Sequence, residues 1–174
     1  MMFFLASALR VIGFVYVLRL VAAGRLRRGE LGWRADALGH ELVRGLVGFA
    51  AIAALLVAML AAAGMPPGEV VDAIRDATLG DRLTFLAIGI GAAVVEETIF
   101  RGWMQRALAR RIGVPRAIAI VAVIFAVSHL QAAPLALAGK LAIGLVLGGL
   151  RGGDRSLVGP AIAHALVWST FGAL

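Results

Sequence analysis

The chain has 174 residues, and 61% of them are apolar, against about 45 to 50% in an ordinary soluble domain. This excess excludes an ordinary soluble globule and leaves no room for a separate soluble catalytic or nucleic-acid-binding domain. The formal net charge is +7, but 16 of the 17 basic residues are arginines and most lie in short loops, which indicates orientation in a membrane rather than contact with nucleic acid. Because cysteine is absent, disulfides and thiolate chemistry are excluded.

Six apolar runs follow one another along the chain, at residues 1–23, 43–63, 83–105, 117–133, 134–150 and 157–174. About 20 apolar residues span a bilayer as a helix, so the pattern predicts an all-α fold, a polytopic transmembrane helix bundle of about six spans. The first run contains Arg10 and Arg19, and an arginine at mid-bilayer costs at least ~2.5 kcal/mol. The alternative for this run is an amphipathic helix on the cytoplasmic face, which leaves five spans.

Residues 66–82, between the second and third spans, begin with two prolines and then space apolar residues among acids. This spacing predicts a short amphipathic helix on the outer surface. We therefore divide one membrane domain into residues 1–82, with the N-terminal spans and the surface helix, and residues 83–174, a four-span core. The first run lacks a basic n-region and a cleavage site, so we expect it to remain in the mature protein.

Basic loops alternate with loops that have few basic residues or balance them with acids. The positive-inside rule then places the first, third and fifth loops in the cytoplasm. The basic residues of these three loops are Arg25, Arg27, Arg28, Arg34 and Arg44, then Arg106, Arg110, Arg111 and Arg116, then Arg151 and Arg155.

Ionisable residues inside the later spans are few, and each is a functional candidate because burial in a bilayer is costly. Arg101 follows Glu97 by four residues, so the two share a helix face and are expected to form an ion pair. Glu96 points about 100° away, toward a different neighbour. The full set is Glu96, Glu97, Arg101, His129, Lys140 and His164.

Glu96, His129 and His164 are predicted to lie at a similar depth. Counting ~1.5 Å per residue from the nearest basic loop places them roughly 13 to 20 Å into the membrane. One carboxylate and two imidazoles can therefore meet between three helices. Such a cluster either locks the bundle as a buried polar network or carries a function, and hydrolysis, a proton relay and metal transport all remain open.

Three short motifs occur in order on separate apolar helices. Residues 96–101 fit Glu-Glu-x-x-x-Arg, Phe125 and His129 fit Phe-x-x-x-His, and His164 begins what should be His-x-x-x-Asn. In this order they resemble the CPBP family of intramembrane endopeptidases, also called the type II CAAX prenyl protease family. The resemblance covers about residues 83–170.

The resemblance implies a protease that cleaves a C-terminal or membrane-embedded segment of a membrane-associated protein or peptide. It implies that Glu96 and His129 activate a water and that His164 helps to bind the oxyanion, with Glu97, Arg101 and Phe125 in supporting roles. Such chemistry is plausible for a carboxylate and an imidazole in an apolar site. The same three catalytic residues could instead hold a divalent metal such as zinc.

Trp168 stands where the family has Asn or Asp. Loss of one oxyanion donor costs ~10² to 10³ in rate, so this position predicts a slower enzyme. The alternatives are a non-catalytic membrane interaction or immunity protein and a proton-coupled transporter. In each case the partners are the bilayer and a membrane protein or peptide, without nucleic acid, and the expected location is a bacterial inner membrane with the site open toward the cytoplasmic side.

Overall fold

The computed structural model describes the backbone of residues 2–172 and the side chains of residues 5–27 and 29–172. Over this part of the chain the structure is helical and has no strand, which confirms the predicted fold class. The helices are α1 (Met2–Ala22), α2 (Arg28–Leu31), α3 (Leu38–Ala62), α4 (Pro67–Asp76), α5 (Leu79–Glu97), α6 (Arg106–Ile112), α7 (Val114–Val127), α8 (Pro134–Arg151) and α9 (Val158–Phe171), with a π-helical segment, Thr98–Gln105, joining α5 to α6.

Four helical stretches are long and apolar enough to cross a membrane, namely Leu5–Ala22, Leu38–Ala62, Leu79–Ile112 and Pro134–Arg151. Helices α7 and α9 are also apolar, but each has only 14 residues. At ~1.5 Å per residue they extend ~21 Å, less than the ~30 Å of a hydrocarbon core. The fourth and sixth predicted spans are thus present as helices that are shorter than predicted.

The surface helix predicted for residues 66–82 is shorter than expected, because α4 ends at Asp76. The next helix, α5, begins at Leu79, and the hydroxyl of its N-cap residue Thr78 accepts a hydrogen bond from the Asp81 amide at 3.1 Å. The Asp81 carboxylate in turn accepts from the Thr78 amide at 3.0 Å, which completes a capping box. Arg82 therefore belongs to the third long helix and not to the surface helix.

Helix α9 lies at the centre of the bundle, packed against α5 and α3, and α7 pairs with α8. The last pair approaches closely at Gly144, where an added Cβ would lie 3.0 Å from the Cα of Ala122. Small residues allow such approaches between membrane helices. Around this contact the buried core contains Ile99, Phe100, Val121, Phe125, Ile143, Leu147 and Val167.

The first, third and fifth loops meet at one end of the bundle, which we call the arginine-rich end. Arg106 pairs with Glu30 at 3.2 Å, and the Leu157 amide donates to the Gly32 carbonyl at 2.8 Å. A hydrogen bond from the Arg27 backbone and the nearby Arg106 hold the pKa of Glu30 below its usual value. The three loops therefore share one side, as the alternation of charges predicts.

Candidate active site

Glu96 and Glu97 end α5, immediately before the π-helical segment. Both carboxylates are buried, with 2% and 0% of the residue exposed. The sequence predicted a regular helix through residue 105, whereas Thr98 begins eight residues of π-helix. The Trp33 indole donates to the Thr98 hydroxyl at 2.9 Å, so the first loop packs onto the start of this segment. π-Helical segments of this kind are frequent at functional sites.

The predicted ion pair between Glu97 and Arg101 is present, with Arg101 Nη1 3.1 Å from Glu97 Oε1. Both side chains are fully buried. The Arg101 guanidinium also lies 4.3 Å from the centre of the Phe125 ring and donates to the Gly144 carbonyl at 3.3 Å. Glu97 Oε1 is at the same time 2.9 Å from His164 Nδ1, so this carboxylate links the π segment to α9.

Glu96 lies between both histidines, as the comparison of depths predicted. Its Oε2 atom is 4.0 Å from His129 Nε2 and 3.8 Å from His164 Nε2. This oxygen is buried and accepts no hydrogen bond from the described residues. Its other oxygen, Oε1, lies 3.2 Å from Nε of Arg10, on α1. The structure thus brings together Glu96, His129 and His164 and adds an arginine.

The protonation of each imidazole can be assigned from the partner of its Nδ1 atom. His129 Nδ1 lies 2.7 Å from the Phe125 carbonyl, and His164 Nδ1 lies beside the Glu97 carboxylate. Carbonyl and carboxylate oxygens only accept, so Nδ1 is the donor in both rings. In the neutral rings each Nε2 is then an acceptor. Three hydrogen-bond acceptors therefore face one another, namely Glu96 Oε2, His129 Nε2 and His164 Nε2. This arrangement suits a molecule that donates hydrogen bonds, such as water.

His129 lies in a turn just after α7 rather than inside a helix that continues to residue 133. The helix ends at Val127, and Leu130 has a left-handed backbone with φ of 53°. A leucine is strained in this conformation, which is common near functional sites. The turn leaves the His129 ring edge-on to Phe125, with 4.7 Å between the ring centres. Phe125 also packs edge-on to His164 at 6.1 Å, so it supports both imidazoles.

A cavity of about 450 Å³ adjoins this cluster. His164 and Phe125 lie on its wall, together with Trp168, one helical turn beyond His164. The Lys140 ammonium is 5.9 Å from the centre of the Trp168 ring, within the range of a cation–π contact. The remaining lining is largely aliphatic and aromatic, from Leu56, Met59, Leu60, Leu135, Ile143, Val167 and Phe171.

The position of this cavity differs from the predicted opening. Its wall comes from the last turns of α3 and α9, the first turns of α8 and Gln131 in the fourth loop, all remote from the arginine-rich end. At the arginine-rich end the first loop covers the π segment through Trp33 and Thr98. This cavity therefore lies on the side opposite to the predicted opening, and the side from which the site opens stays a prediction.

Arg10 was not among the predicted site residues. Its presence in an apolar run was interpreted only as a cost to membrane insertion, although a buried ionisable residue is itself a functional signal. The missing information was the partner, because Arg10 and Glu96 are 86 positions apart and on different helices. Their contact joins the N-terminal region, residues 1–82, to the predicted core.

A divalent metal was the alternative use of Glu96, His129 and His164. Within residues 2–172 no group of three or more acidic or histidine side chains has metal-binding spacing. The guanidinium of Arg10 also places a positive charge 3.2 Å from one oxygen of Glu96, where it would oppose a second cation. As placed, Glu96, His129 and His164 do not form a metal-binding group, and metal dependence stays a prediction.

Comparison with known proteins gives one match. Residues 78–169 match the family described as type II CAAX prenyl endopeptidase Rce1-like, which is more than half of the chain and includes all three motifs. No curated protein and no solved structure matches the chain.

Proposed function

The chain belongs to the type II CAAX prenyl endopeptidase Rce1-like family, and we propose that it is an intramembrane endopeptidase in which Glu96 and the two histidines activate a water. Its apolar helices and its family make it an integral membrane protein. The observation that carries the proposal is the convergence of Glu96 Oε2, His129 Nε2 and His164 Nε2 in a buried site. A bundle that needed only a structural lock would satisfy these acceptors with one another's donors.

In the proposed reaction, Glu96 Oε2 takes a proton from water as the water oxygen bonds to the carbonyl carbon of the scissile peptide. The carbonyl π electrons move to the oxygen, which forms a tetrahedral oxyanion. Collapse of this intermediate breaks the C–N bond, and the proton passes to the departing nitrogen with His129 as the relay. The products are a carboxylic acid and an amine, so no oxidant or further reactant is needed.

His164 is proposed to stabilise the oxyanion, and the position of Glu97 defines how. With its Nδ1 proton directed at Glu97, His164 donates from Nε2 only when the ring carries both protons. Glu97 therefore has two proposed tasks, which are to pair with Arg101 and to orient the His164 ring through Nδ1.

The substrate is proposed to be an apolar C-terminal or membrane-embedded segment of a partner protein. The cavity beside His164 has mostly apolar walls, so it suits such a segment. Lys140 provides a single positive charge on that wall, which favours a segment that ends in a carboxylate. If the arginine-rich end is cytoplasmic, as the positive-inside rule indicates, the cavity opens toward the opposite face of a bacterial inner membrane.

The test compares membrane proteomes of cells that lack the protein and cells that express wild type, Glu96→Gln or His129→Ala, each at equal abundance. We expect new protein C-termini only with the wild type. A quenched peptide spanning the strongest cleavage site should then be cleaved by purified wild type after treatment with EDTA, because the proposal needs no metal. If the Glu96→Gln and His129→Ala samples contain the same new protein C-termini as the wild-type sample, the result would favour the non-catalytic interaction protein or the transporter.

A further inference from the structure

Arg10 is the one lysine or arginine that lies within 4.0 Å of the Glu96 carboxylate among the described residues. Its side chain is 14% exposed and that of Glu96 is 3% exposed, so the two charges meet largely out of solvent. The nearby Arg101 is already paired with Glu97. Opposite charges at this distance in a low-dielectric site attract each other strongly, so the contact restrains the orientation of the Glu96 side chain.

The packing of α1 explains how Arg10 reaches the site. One narrow face of α1 is turned toward the bundle, formed by Ala6, Arg10, Gly13 and Val17 at helical spacing. At Gly13 the helix lies so close to the π segment that an added Cβ would be 3.3 Å from Cδ1 of Ile99. The glycine thus lets α1 approach within reach of Glu96, three residues before Ile99.

We propose that Arg10 is a positioning residue for the reaction. Its contact with Oε1 of Glu96 directs Oε2 toward His129 and His164, where the carboxylate can accept a proton. Arg10 lies outside the region that matches the family, so in this proposal the N-terminal helix contributes to the site. The inference rests on the proposed function for its kinetic consequence but not for the contact between Arg10 and Glu96.

Other charged or ionisable groups also face Glu96 and must be considered. They are Arg101 on the π segment, His129 after α7, Lys140 on α8 and His164 on α9. Within the described residues Lys140 forms no ion pair with Glu96 within 4.0 Å, and Arg101 is bound to Glu97. Removal of the Arg10 charge is therefore expected to disturb the position of the Glu96 carboxylate most.

The kinetic test compares Arg10→Met, Arg10→Lys and a control, Arg19→Met, on the same helix but exposed. With the quenched peptide that wild type cleaves, Arg10→Met should lower kcat by about 10- to 100-fold at unchanged KM, because a misplaced base slows chemistry more than binding. Arg10→Lys should recover part of the rate, since it keeps the charge. Equal kcat in Arg10→Met and Arg19→Met, measured per folded protein, would overturn the proposal.

A second readout needs no substrate. Infrared difference spectra between each purified full-length protein and the same protein with Glu96→Gln isolate the band of Glu96. We expect the carboxylate band of Glu96 at similar frequencies in the wild-type and Arg10→Lys proteins and at a shifted frequency in Arg10→Met, because that variant lacks the cation beside Oε1. An unshifted band in Arg10→Met would overturn the proposal, whereas failure of wild type to cleave any peptide would overturn the proposed function alone.

Discussion

Nδ1 of His164 lies 2.9 Å from Oε1 of Glu97, and this contact assigns different tasks to two adjacent carboxylates. Glu97 is engaged by Arg101 and by His164 through the same oxygen. Oε2 is buried without a hydrogen-bond donor among the described residues in both glutamates, but that of Glu96 faces the Nε2 atoms of His129 and His164. We therefore expect Glu97 to hold the structure of the site and Glu96 to transfer the proton.

The first prediction separates these two roles by matched substitutions. Glu96→Gln keeps the shape of the side chain but removes the oxygen that accepts the proton, so it should lower kcat by about 10²- to 10⁴-fold. It also removes the counter-charge of Arg10, which is partly exposed, so its stability should fall less than that of Glu97→Gln, whose partner Arg101 is fully buried. Glu97→Gln leaves the buried Arg101 without a counter-charge and should lower stability by about 3 to 5 kcal/mol, together with activity.

Thermal unfolding and peptide cleavage, measured in detergent on both variants, decide between the roles. A double substitution of Glu97→Gln with Arg101→Met removes both charges, and its stability should be closer to wild type than that of Glu97→Gln alone. An active Glu96→Gln beside a stable but inactive Glu97→Gln would reverse the assignment.

The sequence predicted the contacts of this site that depend on local spacing or on depth. Glu97 and Arg101 are four residues apart, so their pair follows from helix geometry, and counting residues from the basic loops placed Glu96, His129 and His164 at one level. Arg10 was missed because its contact depends on the approach of α1 at Gly13, a packing detail that local patterns do not contain.

The boundaries of α7 and the direction of the cavity were also beyond local reasoning. After Val127 the chain mixes polar and apolar residues up to Pro134, so the composition gave no sign of which residue ends the helix. Hydropathy reports that residues avoid water, whereas the end of a helix inside an apolar run depends on backbone geometry such as that of Leu130. The closed arginine-rich end results from contacts between loops that are distant in sequence, such as Trp33 with Thr98.

A second prediction concerns the two ends of the bundle. Because the native chain has no cysteine, single cysteines can be introduced by Arg25→Cys, Asp76→Cys and Gln131→Cys at exposed positions. A membrane-impermeant maleimide should label positions 76 and 131 from one side and position 25 from the other. Labelling of positions 25 and 76 from the same side would contradict the topology. Labelling of positions 25 and 131 from the same side would contradict the placement of the cavity.

A third prediction assigns Lys140 to the end of the substrate. If its ammonium binds a terminal carboxylate, wild type should cleave a quenched peptide with a free C-terminus at lower KM than the same peptide amidated. Lys140→Met should raise KM for the free acid by about 10-fold, which corresponds to about 1.4 kcal/mol, and leave the amidated peptide unchanged. Lys140→Arg is the control that keeps the charge.

If Lys140→Met does not change the ratio of KM for the free acid to KM for the amidated peptide, a contact between Lys140 and the terminal carboxylate is excluded. It would favour a membrane-embedded segment, with no free terminus in the cavity, as the substrate.

The last prediction uses Trp168, the residue that departs from the family pattern. Its Cβ atom lies against Gly89 of α5, where an added Cβ would be 2.5 Å away, and its ring lies beside Lys140. Trp168→Asn introduces an amide donor one turn beyond His164 and should raise kcat by up to about 10²-fold, if an oxyanion donor is what the site lacks. The substitution removes the ring that lies beside Lys140, so stability should fall by about 1 to 3 kcal/mol. Trp168→Leu creates a similar space without a donor, and its kcat should stay at the wild-type value. Cleavage of the quenched peptide at saturating concentration measures both variants, and an equal rise in kcat for Leu and Asn would show that the indole obstructs the cavity rather than replacing a donor.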